Sequence, residues 1–269
     1  MDLSKCRYIV VEGPIGAGKT SLARELAGAL HADPLFEQPE DNPFLARFYE
    51  DRARFALPTQ LTFLFQRVDQ LRSLAQLDLF RRPTVADFLF DKDPLFARLN
   101  LTDDEYALYE KIYSHLKPQV PSPDLVVYLQ APVPVLVERV QRRGSDYERA
   151  VEESYLARVA DTYTRFFYQY DGAPLMIVNS ERLNFVDNPG HFALLLERIA
   201  SMRGRREFPN RAQAAYRRAL RRPRRPRRRR PPDAAGAREA GACRRASCAT
   251  STSSTASSSS PFFTASTSR

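Results

Sequence analysis

Two kinds of hydrophobic pattern alternate along the chain. Short unbroken apolar runs ("YIVV" at 8–11, "LVVYL" at 125–129, "LMIV" at 175–178) are separated by longer stretches whose apolar residues recur every three or four positions. The short runs predict strands buried on both faces, and the longer period predicts amphipathic helices. Strands are therefore expected at "RYIVVEG", "PTVADF", "PDLVVYLQA" and "PLMIVNS", with a further short one ending at the apolar pair "LF" at 35–36. Helices are expected at "KTSLARELAGAL", "NPFLARFYED", "PTQLTFLFQRVDQLRSLAQL", "PVPVLVERVQRRG", "EESYLARVADTYTRFFYQY" and "PGHFALLLERIASM". Another, "TDDEYALYEKIYSHL", opens on Thr102 as N-cap with two acids in its first turn, a strong start signal. This alternation predicts an α/β domain: a parallel sheet of about five strands, helices on both faces, and ligands outside the C-terminal ends of the strands.

The pattern stops near Gly204, where "RRALRRPRRPRRRRPP" gives way to "STSSTASSSSPFFTASTSR". Two regions are expected, a folded domain at 1–204 and an Arg/Pro/Ser-rich low-complexity tail at 205–269. The tail carries 17 Arg, no Lys and three acids, which leaves 24 basic and 29 acidic residues in the domain. The net charge of +9 thus belongs to the tail, and the body is mildly acidic. Arg repulsion with Pro and Ser bias predicts disorder there. An Arg-rich arm for nucleic acid, or an out-of-frame extension, are the other readings of the same residues. A nucleic-acid partner would rest on this tail alone. No apolar run approaches the roughly 18 residues of a membrane span, and the N-terminus has no secretory pattern. With only Cys6, Cys243 and Cys248 no disulfide framework arises, and a cytoplasmic protein is expected.

The chemistry starts at "EGPIGAGKTS". Gly13, Gly16, Gly18, Lys19 and Thr20 match G-x-x-x-x-G-K-[ST], with Ala17 and Ser21 in the same cradle, after a strand and at the start of a helix. Glycines let backbone N–H groups converge on phosphate oxygens and the helix adds its positive end. Lys19 then bridges the terminal phosphates of a nucleoside triphosphate and Thr20 ligates Mg²⁺. A GTPase needs an N-K-x-D segment, which is absent, and motors seldom fit into about 200 residues. A small-molecule kinase needs a carboxylate at the acceptor hydroxyl and arginines that close over the phosphoryl group. Glu37, just after "LF", is a candidate for the first. Arg139, Arg142 and Arg143 in "ERVQRRGSDYERA" are candidates for a short Arg-rich lid, with Arg139 and Arg143 on one helical face.

From Tyr8 to about Ser201 the chain resembles the deoxynucleoside kinase family, in particular its bacterial deoxyadenosine/deoxyguanosine kinase types. The resemblance implies the P-loop nucleoside-kinase fold, ATP and Mg²⁺ as cofactors, a deoxynucleoside acceptor and a homodimer. "EQPEDNPFL" puts Glu37 in the role of the base at the 5′-hydroxyl, with Glu40 or Asp41 as alternatives. "FYEDRARFALPTQ" supplies Tyr49 for the sugar 3′-hydroxyl and Gln60 for the base, and Arg67 matches a base-contacting arginine. Gln60 and Arg67 also share a helical face. In "TVADFLFDKD", Asp87 keeps the metal-handling acid and Asp93 matches a base-binding Asp. Phe88 and Leu89 replace the family's Arg and Ser there, so either Lys92 or a lid arginine supplies the missing charge or catalysis is slower. "RVQRRGSDYERAVEESYL" carries Arg139, Arg143 and Glu148, the last implied at the 3′-hydroxyl with Tyr49. "ERLNFVDN" resembles the loop around the donor adenine, with Asn184 and Phe185. The rival functions are a nucleoside monophosphate kinase, such as a thymidylate kinase, and a nucleic-acid-binding ATPase acting through the tail.

Overall fold

The computed structural model describes residues 1–75, 82–144, 151–185 and 188–208. Glu148 and the tail beyond position 208 lie outside the described residues.

Among the described residues six strands, all parallel, form one sheet in the order β2-β3-β1-β4-β5-β6. They are β1 (Tyr8–Glu12), β2 (Asp33–Leu35), β3 (Thr84–Ala86), β4 (Leu125–Gln130), β5 (Leu175–Asn179) and β6 (Arg206–Glu207). The helices are α1 (Lys19–Leu30), α2 (Leu45–Glu50), α3 (Arg52–Ala75), α4 (Asp93–Asn100), α5 (Asp103–Leu116), α6 (Val133–Arg143), α7 (Glu153–Gln169) and α8 (Pro189–Ala200).

β1 lies at the centre and is buried along its whole length. Side chains alternate across a strand, so its residues divide between two cores. Tyr8 and Val10 join Ala86, Val126 and Tyr128 beneath α2, α3, α5 and α7. Ile9 and Val11 join Val85, Leu125, Val127 and Val178 beneath α1 and α8. A strand covered on both faces has no polar side to show, which is why these strands read as unbroken apolar runs.

The expectation of about five strands is corrected to six. β6 is a two-residue polar edge strand, with Arg206 beside Leu175 and Glu207 beside Met176. It has no apolar alternation from which a strand could be inferred. The sheet therefore runs past position 204, the expected end of the domain. The long helix also begins earlier than expected, at Arg52 rather than Pro58. Its first turn is tied by the Arg54 N–H donating to Asp51 Oδ1 at 3.2 Å, and Ala56 is buried. α4 is a further helix that the pattern does not single out. α5 carries the expected cap, completed by Glu105 reaching back to the Thr102 N–H at 2.9 Å.

Candidate active site

The first three strands in the sheet order each deliver a chemical group just beyond or at their C-terminal ends. Between β1 and α1 the chain makes the glycine-rich turn. Gly16 has φ +83°, and a Cβ there would meet Leu136 O at 2.8 Å, so no other residue fits. At Gly18 a Cβ would meet nothing, and the requirement is φ +97° alone. Lys19 folds back, its Nζ donating to Pro14 O at 3.3 Å. Burial pulls the Lys19 ammonium below its ordinary value, while Glu12 and Glu37 oppose the shift. Ala17 is buried, and its carbonyl accepts from Ser180 Oγ at 3.1 Å. Ser21 follows in the first turn of α1.

Beyond β3, Asp87 accepts from Thr20 Oγ1 at 2.5 Å and from the Glu37 N–H at 2.8 Å. A hydroxyl and a carboxylate are hard oxygen donors, and both line the cavity. Magnesium is commonly held by one or two carboxylates together with substrate phosphates. The pair Thr20 and Asp87 fits that pattern. Among the described residues no group of three or more His, Cys, Asp or Glu forms a metal cage, so the phosphates would have to complete the coordination.

The cavity beside the glycine turn measures about 290 Å³. Lys19, Thr20 and Asp87 stand at one end; Gln60, Arg67 and the rings of Phe48, Tyr49, Phe63, Phe96 and Tyr155 form the other walls. Glu37 lies between the two ends. Its Oε1 accepts from Arg67 Nε at 2.8 Å and Nη2 at 2.5 Å, and Lys92 Nζ is 3.4 Å away. No described residue donates to Oε2. Burial alone would raise the Glu37 pKa, but Arg67 first and Lys92 next hold it at about 2. Glu40 and Asp41, the alternative acids, are exposed in the turn Pro39–Asp41; Glu40 also lines the cavity, but the ion pairs of Arg67 and Lys92 go to Glu37, Asp93 and Glu12.

Arg67 is shared. Its Nη1 donates to Asp93 Oδ2, while Gln60 Nε2 donates to Asp93 Oδ1 at 2.6 Å and to Asp93 O at 3.2 Å. Tyr109 donates its hydroxyl to Asp93 Oδ1 at 2.6 Å. Burial would lower the Arg67 pKa, but Glu37 and Asp93 carry it well above its ordinary value. Removing one partner of such a buried ionic group typically costs about 3–5 kcal/mol. The structure brings Gln60, Arg67 and Asp93 together, as expected, but with a different division of labour. Asp93 is fully buried and absent from the cavity wall. It orients Gln60 and Arg67 from behind. Both donors of the Gln60 amide are spent on Asp93, which leaves its Oε1 as an acceptor on a residue that lines the cavity.

The lid arginines separate. Arg143 lines the cavity. Arg139, expected beside it, instead directs its guanidinium to Ser180 O at 2.7 Å, Glu181 O at 3.3 Å and Ala17 O at 3.4 Å. Burial lowers its pKa, with Arg142 adding to the shift. Arg142 is exposed. The loop after β5 supplies several carbonyls in one place, and these capture the nearer of the two side chains. In that loop the Asn184 N–H donates to His191 Nδ1 at 3.2 Å, and Phe185 is buried in the core beneath α1 and α8. Phe185 therefore supports this loop from inside. Phe88, where the resemblance implies an Arg, is also wholly buried.

Three site residues escape the sequence reading. Glu12, fully buried at the end of β1, accepts from the Gly13 N–H at 2.8 Å, the Leu89 N–H at 2.6 Å and Tyr163 OH at 3.0 Å, with Lys92 Nζ at 3.3 Å. The signal was an acid closing an otherwise apolar buried run, since a buried charge must be paired. Tyr109 and Tyr163 sit on apolar helix faces, where nothing in the pattern separates them from ordinary core.

Comparison with known proteins bears on the whole arrangement. The family model described as deoxynucleoside kinase matches residues 9–202. A deoxyguanosine kinase of Bacillus subtilis (strain 168) is 33% identical over 199 residues, covering 72% of this chain and 94% of that protein. A deoxyadenosine kinase of Lactobacillus acidophilus is 27% identical over 196 residues, covering 68% and 89%. Among solved structures, a deoxyadenosine kinase from M. mycoides with the products dCMP and a flexible dCDP bound superposes with a TM-score of 0.64. It is 24% identical and covers 72% of this chain and all of that one. A glycine cradle facing a half-buried carboxylate across a small cavity, within a family match this extensive, places the chain in the deoxynucleoside kinase family: it is an ATP-dependent phosphotransferase.

Proposed function

We propose that the chain transfers the γ-phosphoryl group of ATP to the 5′-hydroxyl of a purine deoxynucleoside, with Mg²⁺ held at Thr20 and Asp87. The observation that carries this reading is the asymmetry of Glu37. One oxygen is occupied by Arg67 and Lys92, while the other accepts from no described residue at a point between the glycine turn and Gln60. A sugar hydroxyl donating to that oxygen would face the phosphate end of the cavity.

The hydroxyl oxygen then bonds to the γ-phosphorus as the bond from that phosphorus to the bridging oxygen breaks, and the electron pair leaves on ADP. The hydroxyl proton passes to Glu37 Oε2 late and is released to solvent. A carboxylate with a pKa of about 2 is a weak base, so its larger contribution is orientation. That suits phosphoryl transfer through a loose transition state. Lys19 and Arg143 stabilise charge on the moving group, and bound Mg²⁺ would neutralise charge on the phosphates. Tyr49 meets the 3′-hydroxyl, and Gln60 Oε1 with the unspent N–H groups of Arg67 reads the base. The preference for purines rests on relatives named for deoxyguanosine and deoxyadenosine.

An assay of the four deoxynucleosides and their monophosphates with ATP and Mg²⁺ tests the reading. Turnover of deoxyadenosine and deoxyguanosine above the pyrimidines is expected, with none for the monophosphates, whose charge Glu37 would repel. Turnover of a monophosphate without turnover of any nucleoside would overturn it.

A further inference from the structure

Lys92 is a cation in an unusual place. It is almost wholly buried in the turn Phe90–Lys92 that precedes α4, yet it lines the cavity. Its Nζ stands between two carboxylates, 3.3 Å from Glu12 Oε2 and 3.4 Å from Glu37 Oε1. Glu12 is held in turn by the first N–H of the glycine turn, that of Gly13, at 2.8 Å. A continuous chain of charged contacts therefore runs from the phosphate cradle, through Glu12 and Lys92, to the acceptor carboxylate.

Arg67 also touches Glu37, but its remaining bond goes to Asp93 and so to the base-reading end of the cavity. The two cations tie Glu37 to different things. Arg67 ties it to the acceptor's base, and Lys92 ties it to the loop that holds the donor. An in-line transfer requires the acceptor hydroxyl to sit at a fixed place relative to the terminal phosphorus, and misplacement by about 1 Å can cost on the order of 10²-fold in rate.

We propose that Lys92, anchored on Glu12, is the positioning residue that registers Glu37 against the glycine turn, so that the acceptor hydroxyl and the terminal phosphate meet in line. The proposal rests on the kinase reading given above. Lys92 acts through Glu37: the ammonium and Arg67 occupy Oε1 together, which turns Oε2 to the hydroxyl. It takes no proton and forms no bond in the reaction.

The test compares kcat and the KM for ATP in Lys92→Met, Lys92→Arg and Lys92→Ala, each at wild-type folded concentration as judged by its thermal shift with ATP. Lys92→Met should lose about 10²-fold in kcat with the KM for ATP within about twofold of wild type, since no nucleotide contact is removed. Lys92→Ala should regain turnover with added methylammonium but not with tetramethylammonium, which has no N–H to donate. A kcat for Lys92→Met within about threefold of wild type overturns the proposal, and so does a failure of methylammonium to restore any turnover to folded Lys92→Ala. If the neutral variants do not fold, Lys92→Arg decides. It keeps the charge and should stay within about tenfold of wild type; a loss as large as that of Glu37→Gln overturns the proposal. Failure of the kinase reading looks different, because wild-type protein would then phosphorylate no deoxynucleoside at all.

Discussion

Under the proposed reaction, the donor and acceptor halves of this cavity are built by opposite means. The donor half comes mainly from one contiguous run, residues 13–21, with Asp87 beside it, and consists largely of backbone: glycine conformations, N–H groups and the start of α1. The acceptor half consists of side chains gathered from positions 12, 37, 60, 67, 92 and 93 and braced by Tyr109 and Tyr163. Backbone amides serve any polyphosphate, because every residue except proline has one. Side chains held in a buried ionic network serve one acceptor geometry, and the loss of one member disturbs the rest. The donor half is therefore general and local, and the acceptor half is specific and cooperative.

The largest effect should come from removing the lysine of the donor half. Lys19→Ala is expected to lower kcat by about 10³-fold for every acceptor alike. A loss confined to one deoxynucleoside, measured across all four, would erase the distinction between general and specific halves.

On the acceptor side, Glu37→Gln should reduce the chemical step by about 10²-fold while leaving the KM for ATP nearly unchanged. Its titration sharpens the comparison. Glu37 is held at about 2, below its ordinary value of 4.5. Its contribution to stability is thus complete above the ordinary carboxylate range and disappears only as the pH falls from there toward about 2. The pH profile of kcat/KM should accordingly show no acidic limb from this group between about pH 5 and 7. A limb in that range that vanishes in Glu37→Gln would mean the carboxylate is far less tightly held than its two cations imply.

The smallest effect concerns a region outside both halves. Truncation after Phe208 should leave kcat unchanged. Truncation after Gly204 removes β6 together with the Arg205 carbonyl that accepts from the Leu175 N–H at 2.7 Å, and the Arg206 bond to Tyr168 O at 2.6 Å. The Arg205 bond to Asp171 O at 2.9 Å and the Arg206 bond to Tyr170 O go with them. With each such bond contributing about 0.5–1 kcal/mol, a loss of about 2–4 kcal/mol in stability is expected, again without a change in kcat. Equal melting temperatures for the two truncations would deny β6 any part in the fold.

How far the site could be read in advance follows the same division. Lys19, Thr20 and Asp87 are legible because each sits at a fixed offset from a strand end. Gln60 and Arg67 are legible as two polar residues on one face of a long helix. Asp93 is implied by the resemblance as a base-binding acid, but its place behind Gln60 and Arg67 is not, since burial depends on how α4 packs against α3. Arg139 and Arg143 share a helical face, yet only Arg143 reaches the cavity. The carbonyls that draw Arg139 away belong to a loop some 40 residues distant, beyond the reach of any periodicity.

The sequence by itself determined the alternating strands and helices and the glycine-rich turn, and it marked Glu37 as a candidate carboxylate beside that turn, because each depends on neighbours within a few residues. Only the tertiary structure decided that Glu12 and Lys92 would join that carboxylate to the cradle, that Asp93 would serve from behind, and that a polar pair at 206–207 would close the sheet. Charges buried together find their partners across the fold, and partnership over such distances is set by packing, which no local pattern records.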